Sequence, residues 1–309
     1  MPLYLTEAEV AELLTPAEAL EAVEGSFRRL AAGSAENVPR SRSRWDGGAL
    51  AVMWAVDQEL GLAGLKTYAA TVEGATFVVV LFDAESSESV AVIEADKLGQ
   101  LRTGAASGVA ARHLGKEGAA SLGVIGCGWQ ARGQVAAIRE ALPSIERVVA
   151  YCRTEKELKK FCREIGAEAG ESHRDPAEQD VVVTVTSSKD PVLRGEWLRP
   201  GALVCAVGAN DPRRRELDNA TLERADFVCC DSLDAARIES GDLIEPVDAG
   251  VLDWLEVHEL QEVVAGELPG RQADDDVVVF KSNGLAAWDV AAGAAVVERA
   301  RERGVGTQL

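Results

Sequence analysis

Ser121-Leu122-Gly123-Val124-Ile125-Gly126-Cys127-Gly128-Trp129-Gln130-Ala131-Arg132 is an apolar run that ends in a glycine turn and opens into a helical pattern. In a Gly-x-Gly-x-x-Ala spacing of this kind, Gly126 allows the tight turn and Gly128 lets the backbone approach a pyrophosphate. Ala131 is small enough for the helix to pack closely on the strand, with its positive N-terminus toward the anion. Beyond it the pattern alternates: a strand at 147–151, a helix at 154–165, and strands at 181–185, 202–207 and 227–231. Apolar strands separated by helical segments predict an α/β fold, a Rossmann doubly wound parallel sheet over residues 116–285 that binds a dinucleotide.

The residues before the turn read differently. Thr6 with Glu9, and Thr15-Pro16 with Glu18, are successive capping boxes, and Leu20, Val23, Phe27 and Leu30 recur at helical spacing until Gly33. Four β-like segments follow at 49–56, 61–70, 76–83 and 90–95, with few helices between them, which predicts a mixed or antiparallel sheet in an α+β domain. Residues 96–114 form a helix with small-residue faces. The last helix, about 284–303, follows a strand at 277–280 and is expected to return to the first domain. That domain is therefore discontinuous, 1–115 with 286–309.

A chain of 309 residues accommodates two domains, and the balance of 32 basic against 51 acidic residues, a net charge of −19, repels nucleic acid and anionic membranes. An anionic ligand must then be met by locally concentrated cations. Six cysteines without a CxxC pair read as small buried hydrophobes in a reducing compartment. Three scattered histidines give no metal-ligand spacing, so no metal is expected. The N-terminus lacks an export pattern and no run of 18 apolar residues occurs, which makes the cytoplasm the expected location.

The end of the second Rossmann strand separates NAD from NADP, because a carboxylate there accepts from the ribose 2′-hydroxyl whereas an arginine accommodates the 2′-phosphate. Here Arg153, Thr154 and Lys156 stand at that point and favour NADP(H), with NAD(H) as the alternative. In the other domain, Lys66 and Arg102 are each the only cation of a run rich in small residues, and Arg40 follows Val38-Pro39. A cation in such surroundings is aimed at an anion, a substrate carboxylate or an internal acid, because an unpaired buried charge is costly.

These stretches, together with VTVTSSKDPVL (183–193), LRPGALVCAVGANDPRRRELD (198–218), DSLDAARIESGD (231–242) and VFKSNGLAAWD (279–289), resemble the ornithine cyclodeaminase/mu-crystallin family over nearly the whole chain. The resemblance implies an N-terminal substrate and dimerisation domain joined to a Rossmann domain, a homodimer, and chemistry at the carbon–nitrogen bond of a small amino or imino acid. It implies that Arg40, Lys66 and Arg102 clamp the substrate carboxylate, with Lys66 also handling protons. It further assigns Thr103, Gly126, Gly128, Gln130, Ala131, Arg153, Thr154, Thr186, Ser187, Val207, Gly208, Ser282 and Asn283 to the NADP(H) path.

Two departures from the cyclodeaminase pattern matter. Asn210, in Gly208-Ala209-Asn210-Asp211-Pro212, stands where the cyclodeaminase has its catalytic aspartate, and Ala51 stands at about the place of a substrate-gripping glutamate. An amide cannot take a proton from an amine, although it can orient a water or an imine. Together with Arg153, these departures point to a ketimine reductase or amino-acid dehydrogenase. A cyclodeaminase that releases ammonia and a non-catalytic NADPH-binding protein are the two other readings.

Overall fold

The computed structural model describes residues 1–309 and divides into two compact units, residues 1–103 with 285–309, and residues 104–284. The helix Asp96–Leu114 runs through the first division, which falls at 103/104 and not, as expected, at 115/116. The second half of that helix packs within the later unit. A Cβ on Gly104 would lie 2.2 Å from the Gly133 carbonyl oxygen, so only glycine permits this approach. The second division likewise falls at 284/285 and not at 285/286.

The first unit opens with the two expected capping boxes. Thr6 Oγ1 accepts from the Glu9 N–H and the Glu9 carboxylate accepts from the Thr6 N–H, an exchange repeated by Thr15 and Glu18. These caps start the helices Glu7–Leu13 and Pro16–Ala31; each is worth about 0.5–2 kcal/mol. The sheet contains β1 (Leu3–Leu5), β2 (Ala35–Trp45), β3 (Gly48–Asp57), β4 (Leu62–Thr71), β5 (Ala75–Asp83) and β6 (Ser89–Glu94). Its order is β1-β6-β5-β4-β3-β2, with the short strand Thr307–Gln308 outside β1. Only β1 and β6 run parallel, so the sheet is mixed.

No strand was expected at β2, because Pro39 and the polar residues around it obscure the alternation. Proline is tolerated there since β2 is the sheet edge and its register shifts between Val38 and Ser41. The C-terminal helix Ala286–Arg303 joins this unit, and its fully buried Trp288 meets the Phe27 ring edge-on with centroids 5.2 Å apart. Along β3, Ala51, Met53 and Ala55 are buried while Leu50, Trp54 and Val56 face outward and are 38–41% exposed.

The second unit is built on eight parallel strands: β7 (Ser121–Ile125), β8 (Arg147–Tyr151), β9 (Glu168–Ala169), β10 (Val181–Thr184), β11 (Leu203–Ala206), β12 (Phe227–Cys230), β13 (Val257–Glu259) and β14 (Val278–Lys281). Their order is β13-β12-β14-β11-β10-β7-β8-β9. Every residue of β10, β11 and β14 is buried, as expected of strands covered on both faces. The chain runs outward from β7 to β9 and then returns to β10 on the other side of β7, creating a switch point between β7 and β10 where α/β sheets bind ligands. The edge strands β9 and β13 are too short to register as hydrophobic runs. No helix of the chain is long and apolar enough to cross a membrane.

Candidate active site

The switch point is open because of the backbone at Gly126. Its φ of +112° favours glycine, and a Cβ there would lie 2.5 Å from the Val185 carbonyl oxygen. Gly128 then caps the helix Trp129–Ala141 without a side chain, and the first helical turn carries no acid. The amides of that turn are left for an exogenous anion. A cavity of about 310 Å³ lies over the turn, lined by Gly126, Gly128, Arg153, Thr154, Thr186 and Ser187, all assigned to the cofactor path above. Its glycine backbone and the helix end without a side-chain cap fit the pyrophosphate of a dinucleotide.

The other assigned residues take different positions. Ala131 is buried in the helix, and the Gln130 side-chain oxygen is buried without a hydrogen-bond partner. Lys156 is exposed on the helix Glu155–Ile165 and does not line the cavity; Glu157 and His173 do, and neither was expected. His173 meets the Tyr151 ring at 4.7 Å, and burial followed by the Arg153 charge holds its pKa below the usual histidine value. Cys127 and Cys152 also line the cavity. All six thiols are free, but Cys152 is only half-buried, unlike the others.

Behind the cavity wall lies a charged network that sequence reasoning missed. Glu216 is fully buried; its Oε1 accepts from Thr186 N at 2.6 Å and Thr186 Oγ1 at 2.7 Å, and its Oε2 from Gly208 N at 2.7 Å and Thr184 Oγ1 at 3.1 Å. Asp242 Oδ1 accepts from the Glu216 and Leu217 amides, while its Oδ2 pairs with Lys281 Nζ at 3.0 Å. Lys281 also donates to the Ala209 carbonyl at 2.6 Å. Burial, and next the Asp242 charge, push the Glu216 carboxyl above its ordinary range. Gly208 and its neighbour Val207 are thereby tied to Thr186 through one carboxylate.

Ser282 and Asn283 are also held from within. Asp231 Oδ2 accepts from Ser282 Oγ at 3.0 Å and from the amides of Asn283 and Gly284 at 2.7 and 2.6 Å. Asn210 is half-buried. The neighbouring Asp211 carboxylate takes three hydrogen bonds from Arg213. Thr103 donates its hydroxyl to the Gly99 carbonyl at 2.7 Å.

In the first unit, Arg40, Lys66 and Arg102 are 8, 4 and 5% exposed. The β2 bulge turns Arg40 inward, while Lys66 stands mid-strand opposite Met53 and Val79. Arg102 comes from the first half of the helix Asp96–Leu114. Lys66 Nζ and Arg102 Nε both donate to Asp289 Oδ1, at 3.1 and 2.9 Å. Asp289 was not singled out in the sequence. Burial first, and then the Arg102 charge, lower the Lys66 pKa to about 8 against the pull of Asp289; Arg40 lowers it further. Two buried cations sharing one carboxylate, Lys66 and Arg102 on Asp289, leave one positive charge in excess in a buried setting.

A model of the ornithine cyclodeaminase/mu-crystallin family matches residues 2–304. The chain is 37% identical to an alanine dehydrogenase of Archaeoglobus fulgidus, over 99% of this chain and 98% of that protein. Its fold matches an archaeal alanine dehydrogenase dimer with bound NAD at a TM-score of 0.94 and 34% identity, covering 100% of this chain and 98% of the other. It also matches the Δ1-pyrroline-2-carboxylate reductase of Thermococcus litoralis in complex with NADH and L-proline, at a TM-score of 0.95 and 31% identity, covering 99% and 100%. The two-unit architecture, the glycine-turn cleft and this full-length similarity lead to one conclusion: the chain belongs to the ornithine cyclodeaminase/mu-crystallin family.

Proposed function

We propose that the protein transfers hydride between a nicotinamide dinucleotide, NADP(H) in preference to NAD(H), and the carbon–nitrogen bond of a small amino or imino acid. The observation that carries this reading is the buried pair Lys66 and Arg102 on the single Asp289 carboxylate, with the buried Arg40 near enough for its charge to act on Lys66. One cation in excess over the shared carboxylate suits an incoming carboxylate, because an anion resolves the cost of burying cations together. The two relatives with solved structures are named for a dehydrogenase of alanine and a reductase of a pyrroline carboxylate, whose substrates have such a carboxylate beside a carbon–nitrogen bond.

In this mechanism the guanidinium groups of Arg40 and Arg102 bind the substrate carboxylate and fix the orientation of the adjoining carbon. Orientation of this kind contributes as much as about 7–11 kcal/mol. The dinucleotide is held by the Gly126–Gly128 backbone, the first turn of helix Trp129–Ala141, Thr186 and Ser187, and when bound it supplies or accepts the hydride. Lys66 gives a proton to the imine nitrogen, since a protonated imine accepts hydride better than a neutral one. Asn210 orients the imine or a water by hydrogen bonds and does not act as a base. Arg153 on the cavity wall suits a 2′-phosphate, and Glu157 on the same wall is a carboxylate able to accept from a 2′-hydroxyl, which keeps NAD(H) usable.

The same reading takes the protein to be a cytoplasmic homodimer, with Leu50, Trp54 and Val56 on the outward face of β3 against a second copy. Six free thiols suit a reducing compartment. The deciding experiment is oxidation of NADPH and of NADH in the presence of cyclic ketimine carboxylates, and of pyruvate with ammonia. Turnover with a lower KM for NADPH is expected. Folded protein that oxidises neither cofactor with any of these acids overturns the assignment, and ammonia release from ornithine without net cofactor oxidation replaces it with cyclodeamination.

A further inference from the structure

We propose that Asp289 is a positioning residue of the reaction, which keeps Lys66 in its ammonium form and fixes Arg102 beside it. The proposal rests on the reading above, in which Lys66 protonates the imine nitrogen. Asp289 is 1% exposed and lies in the first turn of the C-terminal helix. Its Oδ1 accepts from both Lys66 Nζ and Arg102 Nε, while its Oδ2 is buried with no hydrogen-bond partner. The buried Glu216, a structural carboxylate, uses both of its oxygens on four neutral donors. Asp289 instead meets two cations with one oxygen and leaves the other open.

The groups around Lys66 come from four elements. Arg40 of β2 and Arg102 of the helix Asp96–Leu114 repel its proton, the Phe77 ring of β5 lies 5.4 Å from Nζ, and Asp289 of the C-terminal helix attracts it. Burial works with the arginines, so Asp289 alone opposes loss of the proton. The reaction consumes that proton. For each C=N reduced to CH–NH, one hydride comes from the reduced nicotinamide and one proton from Lys66, which is left as an amine and regains a proton from water. A donor that is neutral before turnover cannot begin it. The arriving substrate carboxylate adds a second negative charge near Lys66 and strengthens the hold on the proton at the moment it is needed.

The test is the pH dependence of kcat/KM for NADPH-dependent reduction of a cyclic ketimine carboxylate, which reports the free enzyme's essential groups. The substrate's own titration is common to all variants, so only differences between variants are read. The wild type is expected to lose activity as pH rises through about 8, the value to which Lys66 is lowered. In Asp289→Asn the same fall is expected about one unit lower, and Asp289→Glu, which keeps the charge, brings it back toward the wild-type position.

Should Asp289→Asn fail to fold by circular dichroism, the comparison moves to Arg102→Gln with and without Asp289→Asn, where the net buried charge is smaller. The double variant must then fall about one unit below Arg102→Gln alone. A limb unmoved by loss of the Asp289 charge in either background overturns the proposal. A limb that persists near pH 8 in Lys66→Gln overturns the parent reading instead, because the titrating group is then not Lys66.

Discussion

At Lys66, burial and two guanidinium groups act against the charge that the chemistry needs, so the residue lowers stability where it serves turnover. The sign follows from its folded pKa of about 8, below the ordinary lysine value of 10.5. The cost of the buried ammonium is full below pH 8 and fades as pH rises toward 10.5, where lysine in the unfolded chain also loses its proton. Replacing it with the isosteric apolar side chain in Lys66→Met is therefore expected to abolish turnover yet stabilise the protein at pH 7 by about 1–3 kcal/mol. Denaturant melts at a series of pH values check both parts. A Lys66→Met protein that is less stable at pH 7, or whose advantage grows with alkalinity, contradicts the account.

The network joining β10, β11 and β14 carries its consequence at the level of elements. Glu216 brings the turn after β10, at Thr186, and the turn after β11, at Gly208, onto one carboxylate. Glu216→Gln puts an amide N–H where only donors face it, an expected loss of about 1–3 kcal/mol and a Tm lower by about 2–4 °C for each kcal/mol. Calorimetric titration should find dinucleotide Kd raised about tenfold, equivalent to about 1.4 kcal/mol, because Thr186 lines the cavity. Unchanged Kd and Tm together would remove Glu216 from the cleft's support.

Much at this scale was readable beforehand. The central strands β7, β8, β10, β11 and β12 are continuous apolar runs, and the capping boxes at Thr6 and Thr15 are local signals that need no tertiary partner. What escaped depends on tertiary context. Pro39 hides β2 until the bulge and the edge position are known. Glu216, Asp242 and Lys281 look like ordinary charged residues, since which carboxylate meets which amine is set by strand order and not by spacing. Asp289, 223 positions from Lys66, escaped for the same reason. Lys156 was expected at the cavity and Glu157 was not, because a shift of one residue in the helix register decides which side chain faces it.

At the scale of the whole molecule, residues 104–284 are inserted between two parts of the other unit, and the later part brings Trp288 and Asp289. A chain stopped after Gly284 should therefore keep a protease-resistant piece spanning 104–284, while residues 1–103 are digested. Resistance of residues 1–103 in that truncated protein would count against this dependence. During translation the ribosome releases Lys66 and Arg102 more than 180 residues before the acid that accepts from both. The nascent N-terminal sheet must wait for the last helix to emerge, and chaperones would meet it with its buried positive charges still unmatched.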